Sequence, residues 1–193
     1  MRFRKNFPMK ILSFFCFILF CAAVSADTDF FDFKSHPALF AAARRKQNLT
    51  FLPEKNGADR GIWRITCTEK GKQNQRAELI LKKEIPLPDF NGSLRVEMDL
   101  ETEPDVSLKG VDLRLRDAKG EICSFNGLRK PASGNFTVVW ILHPDQKVSA
   151  SWGADPDKRL DLPAKITNIA FIMNKDCTGD LLIKSMRFSS NKK

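Results

Sequence analysis

The residues best suited to grip a ligand gather in one stretch, Val148 to Pro163, which reads VSASWGADPDKRLDLP. Trp152 stands beside Gly153, and Asp155, Asp157 and Asp161 follow before Pro163 closes the run. A partly exposed indole offers a flat apolar face to the C–H face of a pyranose, and neighbouring carboxylates accept hydrogen bonds from its hydroxyls. The same aspartates could hold calcium, a hard cation that wants about six to eight oxygens, although they lack the glycine and closing glutamate of an EF-hand. They equally suit an Asp-Pro-Asp turn whose side chains cap local amides. Turn, sugar and calcium stay open on the residues alone. The ligand-binding set is Trp152, Asp155, Asp157 and Asp161, with no metal and no cofactor assigned.

Catalysis leaves a fainter trace. His36 and His143 each neighbour a proline in an expected loop, and the chain has no GxSxG, HExxH, P-loop or GxGxxG. The paired carboxylates of a glycosidase depend on the fold and escape a motif search. Beyond the first 26 residues, Cys67, Cys123 and Cys177 allow at most one intramolecular disulfide, and spacing selects no pairing. Without a CxxC they do not suggest a thiol metal site. The expectation is therefore no enzyme.

Targeting is clearer. MRFRKNFPMK carries four basic residues and no acid, ILSFFCFILFCAAV runs apolar, and Ser25 and Ala26 follow. That order is a secretory signal with cleavage expected after Ala26, and its apolar run is shorter than the roughly 20 residues of a membrane-spanning helix. The expectation is a secreted or periplasmic protein with no stable membrane span after cleavage. Residues 27–193 suffice for one domain with a hydrophobic core, residues 27–47 forming an N-terminal extension that packs on it. The formal net charge is +9, and four of those positive charges belong to the leader. The remainder is spread along the chain, and Arg44-Arg45-Lys46 reads as a solvated face, so a nucleic-acid partner is not expected.

The elements that must position these residues are strands. From Asn48 onward apolar and polar residues alternate with period two, and turn residues recur every eight to twelve positions. Strands are predicted over 49–53, 62–68, 76–85, 93–101, 110–116, 121–125, 136–142, 148–152, 166–173 and 180–188. Ala38 to Gln47 has helix-forming composition and suggests one short N-terminal helix or turn. In SLRVEMDLE, Leu94, Val96, Met98 and Leu100 face one way while Arg95, Glu97, Asp99 and Glu101 face the other. GVDLRLR repeats the pattern, with Asp112, Arg114 and Arg116 outward. If the two strands pair as neighbours, those acids face those arginines in an ion-pair ladder; the other reading of the polar face is a sugar-binding floor. FTVVWIL is apolar on both faces and suggests a central strand with Trp140 as core material.

The C-terminal run ITNIAFIMNKDCTGDLLIKSMRF resembles the last two strands of galactose-binding-like jelly rolls, the fold shared by many carbohydrate-binding modules. DLRLRDAKGEI and SWGADPDKRLDLP are similar to segments of domains attached to secreted bacterial glycoside hydrolases. The resemblance spans roughly Asn48 to Ser189. It implies an all-β antiparallel sandwich of jelly-roll type, with sugar bound on the concave sheet face or at the loops of one edge. It also implies calcium at two acids of the final strand, but Lys184 and Ser185 stand there, and a lysine cannot ligate calcium. The combined reading is an exported, non-catalytic module whose partner is a polysaccharide or other glycan. The alternatives are a cell-envelope interaction domain with no glycan ligand and, less favoured, a glycan-active enzyme.

Overall fold

A computed structural model describes residues 75–148, 150–154, 157–174 and 176–191, with the backbone of three earlier strands at 40–42, 49–51 and 62–66. The expected leader, most of the N-terminal extension, Cys67 and Asp155 lie outside the described residues. The strands are β1 (Phe40–Ala42), β2 (Leu49–Phe51), β3 (Ile62–Thr66), β4 (Arg76–Pro86), β5 (Ser93–Thr102), β6 (Leu108–Arg116), β7 (Glu121–Asn126), β8 (Asn135–Leu142), β9 (Ala150–Gly153), β10 (Lys165–Met173) and β11 (Thr178–Asn191). All ten strands predicted from the sequence are present. The short helix expected within 38–47 is corrected by β1, whose residues pair antiparallel with β4 at Phe40↔Leu81 and Ala42↔Leu79. An open strand edge offers that backbone a ladder of hydrogen bonds, which outweighs a weak helix propensity. Among the described residues no helix is long and apolar enough to cross a membrane.

The strands form two antiparallel sheets, one of six strands in the order β1-β4-β10-β6-β7-β9 and one of five in the order β2-β3-β11-β5-β8. Alternation explains the layering. Leu79, Val111, Leu113, Leu115, Cys123 and Phe171 of the first sheet meet Leu94, Val96, Met98, Leu100, Val138 and Ile183 of the second in one buried core. Two bulges adjust the alternation. Pairing slips between Ile183 and Ser185 in β11 and between Ile166 and Asn168 in β10. The β11 bulge changes the inward parity, so that Leu181 and Ile183 are followed inward by Met186 and Phe188. The result is an all-β sandwich of jelly-roll type.

Two expectations about neighbours are corrected. β5 and β6 do not pair, because they belong to opposite sheets; β5 lies between β11 and β8, and β6 lies between β10 and β7. The acids of β5 therefore find other partners. Asp99 accepts from Thr137 at 2.7 Å, Ser185 at 2.9 Å and Arg187 at 2.7 Å, and Glu101 pairs with Lys184 at 2.8 Å. β8 is not central either. It is the edge of the five-stranded sheet, and Ile141 on its outer side is exposed. Trp140 is core, as expected, and its indole N–H donates to the Phe125 carbonyl at 2.9 Å.

Trp140 also sets the space around Gly127. A Cβ there would lie 2.3 Å from Val138 Cγ1 and 2.7 Å from two atoms of the indole. Gly127→Ala is expected to destabilise by about 1–3 kcal/mol through overpacking, measured as a lower urea midpoint with unchanged slope. Asp99 supplies a pH signature. Burial raises its pKa, but hydrogen bonds from Thr137 and Ser185 and the charge of Arg187 outweigh that effect and hold it below the ordinary value. A carboxyl depressed on folding adds stability above its unfolded pKa and loses it as pH falls through the folded one. Asp99→Asn should therefore be less stable than the parent at pH 7, and the difference should shrink as pH falls through the folded-state pKa, below the ordinary aspartate range.

Candidate functional site

The two outer faces differ in chemistry. On the five-stranded sheet the acids of β5 are closed by local cations: Glu97 lies 2.6 Å from Arg95 and 3.6 Å from Arg187, Asp99 is held by Arg187, and Glu101 by Lys184. That face is a solvated ion-pair lattice. The six-stranded sheet instead presents polar groups with little exposure, including Asp112, Arg114 and Asn168, each below 10%. Register places them together: Asn168 pairs with Arg114, Arg114 with Ser124, and Ser124 with Ala150 on β9. The polar floor read from GVDLRLR thus lies on this face, at its β6-β7-β9 end.

Trp152 completes the floor. It pairs with Ile122 on β7, which pairs with Arg116 on β6, so its side chain shares the outer face. The indole is 43% exposed, while Ile122 beneath is 8%. The Arg114 guanidinium lies 5.2 Å from the ring centroid and is held from the far side by Glu78 at 2.9 Å. Such a cation over an indole adds attraction through the ring quadrupole and fixes the ring's orientation. Asp112, one alternation along β6, is mainly under the influence of burial, which raises its pKa against the opposing charges of Arg76 and Arg114. The result is a half-exposed indole backed by a guanidinium, with hydrogen-bonding groups on the same face.

Of the predicted acids, Asp157 and Asp161 lie at the neighbouring end of the sandwich. After β9 the chain turns back along 145–148, with Val148 N donating to Lys158 O at 3.0 Å and Leu160 N to Gln146 O at 3.1 Å. This return brings Asp157 and Asp161 onto the hairpin turn between β6 and β7. Lys119 Nζ on that turn lies 3.1 Å from Asp157 Oδ2 and 3.2 Å from Asp161 Oδ2. The Lys119 hydrogen bond is the largest influence on Asp157 and lowers its pKa; the two acids raise that of Lys119. Asp157 Oδ1 also accepts from the Arg159 amide at 2.8 Å, the local cap that an Asp-Pro-Asp turn implies.

Two acids at this end were missed by the sequence reading. Glu121 is fully buried and Asp117 nearly so. Asp117 Oδ1 accepts from the amides of Lys119 at 3.0 Å and Glu121 at 2.8 Å, which shapes the turn, and Glu121 Oε1 accepts from Lys158 N at 3.2 Å. Their signal was present in the sequence. In EICSFN the inward set is Glu121, Cys123 and Phe125, so period two places a carboxylate on the core side. Cys123 is a buried free thiol that donates to Arg159 O at 3.3 Å, and burial first, then Glu121, pushes its pKa up to about 12. The position where the resembled family carries calcium-binding acids instead has Lys184 paired with Glu101 and bonded to Asn135 Oδ1 at 2.6 Å.

No known protein family matches the chain, and no curated protein does. Solved structures of similar fold include an agarase, AgWH50C, with TM-score 0.50 and 13% identity over 83% of this chain. This chain spans 26% of that agarase. The family 11 carbohydrate-binding module of the cellulosomal cellulase Lic26A-Cel5E of Clostridium thermocellum has TM-score 0.47 and 14% identity, covering 86% of this chain and 96% of the module. The N-terminal cellulose-binding domain of Cellulomonas fimi β-1,4-glucanase C has TM-score 0.42 and 14% identity, covering 83% and 94%. At such identities the likeness concerns fold alone. What the chain shares with the agarase is the antiparallel two-sheet β-sandwich.

The Arg114–Trp152 contact makes an optical prediction. Arg114→Ala should uncover the second face of the indole, shifting emission to the red and increasing quenching by acrylamide. The same substitution in a Trp152→Phe background should leave the remaining tryptophan emission unchanged.

Proposed function

We propose that the chain is an exported, non-catalytic glycan-binding module whose contact surface is the β6-β7-β9 end of the six-stranded sheet. The observation that carries this reading is Trp152, exposed at the sheet edge with Arg114 behind one face of its ring and buried polar groups beside it. A sugar ring stacks its C–H face on the open side of such an indole, and fixed donors and acceptors orient its hydroxyls. Asp157 is the acceptor we assign to the rim on the loop side, Asp161 positions Lys119 beside it, and Asp155 is assigned as a further acceptor from the sequence alone. The non-catalytic assignment draws support from the thiol and the histidine. Cys123 is protonated at neutral pH because its pKa is pushed to about 12, and His143 stands exposed at a turn. A single shallow platform supports affinities on the order of micromolar to millimolar, about −8 to −4 kcal/mol.

A glycan array probed with the purified protein should reveal a polysaccharide ligand, and Trp152→Ala should weaken it by about tenfold or more, equal to about 1.4 kcal/mol. No binding from a protein shown to be folded would overturn the proposal and favour an envelope-interaction domain. Binding that survives Trp152→Ala unchanged would move the site elsewhere.

A further inference from the structure

The carboxylates enclosed by the β6-β7 turn and the 157–161 return present a problem of charge. Glu121 is 0% exposed and its Oε2 has no hydrogen-bond partner; Asp117 is 6% exposed and its Oδ2 has none. Ligand atoms of Asp117, Glu121 and Cys123 lie within 4.8 Å of one another. Asp161 reaches the same turn, its backbone carbonyl accepting from Ala118 N at 3.2 Å and its carboxylate meeting Lys119. Asp157 lies against Glu121 as well. A buried carboxylate oxygen without a donor is costly, and several converging on one point repel each other. Lys119 bonds to exposed Asp157 at 3.1 Å and lies 3.2 Å from Asp161 Oδ2, which is itself buried, whereas Asp117 Oδ2 and Glu121 Oε2 have no hydrogen-bond partner.

We propose that this pocket is a divalent-cation site, selective for calcium, built from Asp117, Glu121 and Asp161. The donors are oxygens, which hard cations prefer, and carboxylates that already spend one oxygen on backbone amides have the other left for a metal. Cys123 is not a ligand in this assignment, because its S–H is engaged by the Arg159 carbonyl. Calcium there would tie the β6-β7 turn to the return that follows β9, the strand that carries Trp152. The site is separate from the position at Lys184 and Ser185, and it stands whether or not the protein binds a glycan.

The test is thermal unfolding and calorimetric titration of the whole protein with calcium, magnesium or zinc after treatment with EDTA. Calcium should bind with a stoichiometry of about one and, at a hundredfold excess over Kd, raise Tm by about 5 °C or more. Glu121→Gln keeps the shape and removes the buried charge, so it should remain folded in EDTA, be at least as stable there as the parent, and lose the calcium response. Absence of calcium binding by the parent, or an equal calcium response from Glu121→Gln, would overturn the proposal. Zinc binding without calcium binding, abolished by Cys123→Ser, would overturn it by assigning the pocket to a softer metal.

Discussion

The constraint on which the rest depends is the burial of one alternating set of apolar side chains between two sheets. Leu113, Phe171, Leu94 and Met98 are completely enclosed, and each such side chain contributes about 1.5–3 kcal/mol of transfer free energy. Period two then dictates that every second residue of the same strands faces outward. The sandwich therefore has two faces and two ends available for anything beyond stability. The bulges at 166–168 and 183–185 show how firmly the core sets the pattern: where spacing would drive a polar residue inward, the strand takes up an extra residue instead.

The faces use that freedom differently. On the five-stranded sheet, charges of opposite sign lie opposite one another, Glu97 against Arg187 and Glu101 near Lys184, and each neutralises a neighbour. Such exposed pairs add little stability but neutralise one another among the described residues of this face. On the six-stranded sheet the outward residues Asp112, Arg114, Asn168 and Ala170 are small or recessed, which lowers the floor on one side of the indole of Trp152, while Arg116 stands exposed on the other row. An aromatic side chain beside a lowered polar floor has area for a flat ligand that a dense lattice of long charged side chains lacks.

The end of the sandwich follows from a chain-connectivity requirement. β9 is an edge strand paired with β7, and the chain must return from it to enter β10 at the other side of β6. That return crosses the β6-β7 turn, so acids far apart in sequence, Asp117 and Glu121 on one side and Asp157 and Asp161 on the other, meet at this turn, the latter two at Lys119. Placing the return in the left-handed region at Lys158, with φ of 64°, aims its amide at Glu121.

The sequence by itself determined the strands and their inward faces, because alternation and turn residues are local properties, and it singled out Trp152 as an aromatic ending its strand at a glycine. It also carried the inward position of Glu121, one alternation before Cys123. Tertiary structure decided which strands became neighbours. SLRVEMDLE and GVDLRLR look like natural partners from their charges, yet they stand in opposite sheets, since pairing is set by the global path that closes the core and surface ion pairs are too weak to redirect it. FTVVWIL reads as central but occupies an edge, because an apolar outer residue such as Ile141 costs little when half exposed. The backing of Trp152 by Arg114 and the meeting of four acids at the β6-β7 turn were likewise beyond a linear reading, since each depends on residues dozens of positions apart that only register and loop return bring together.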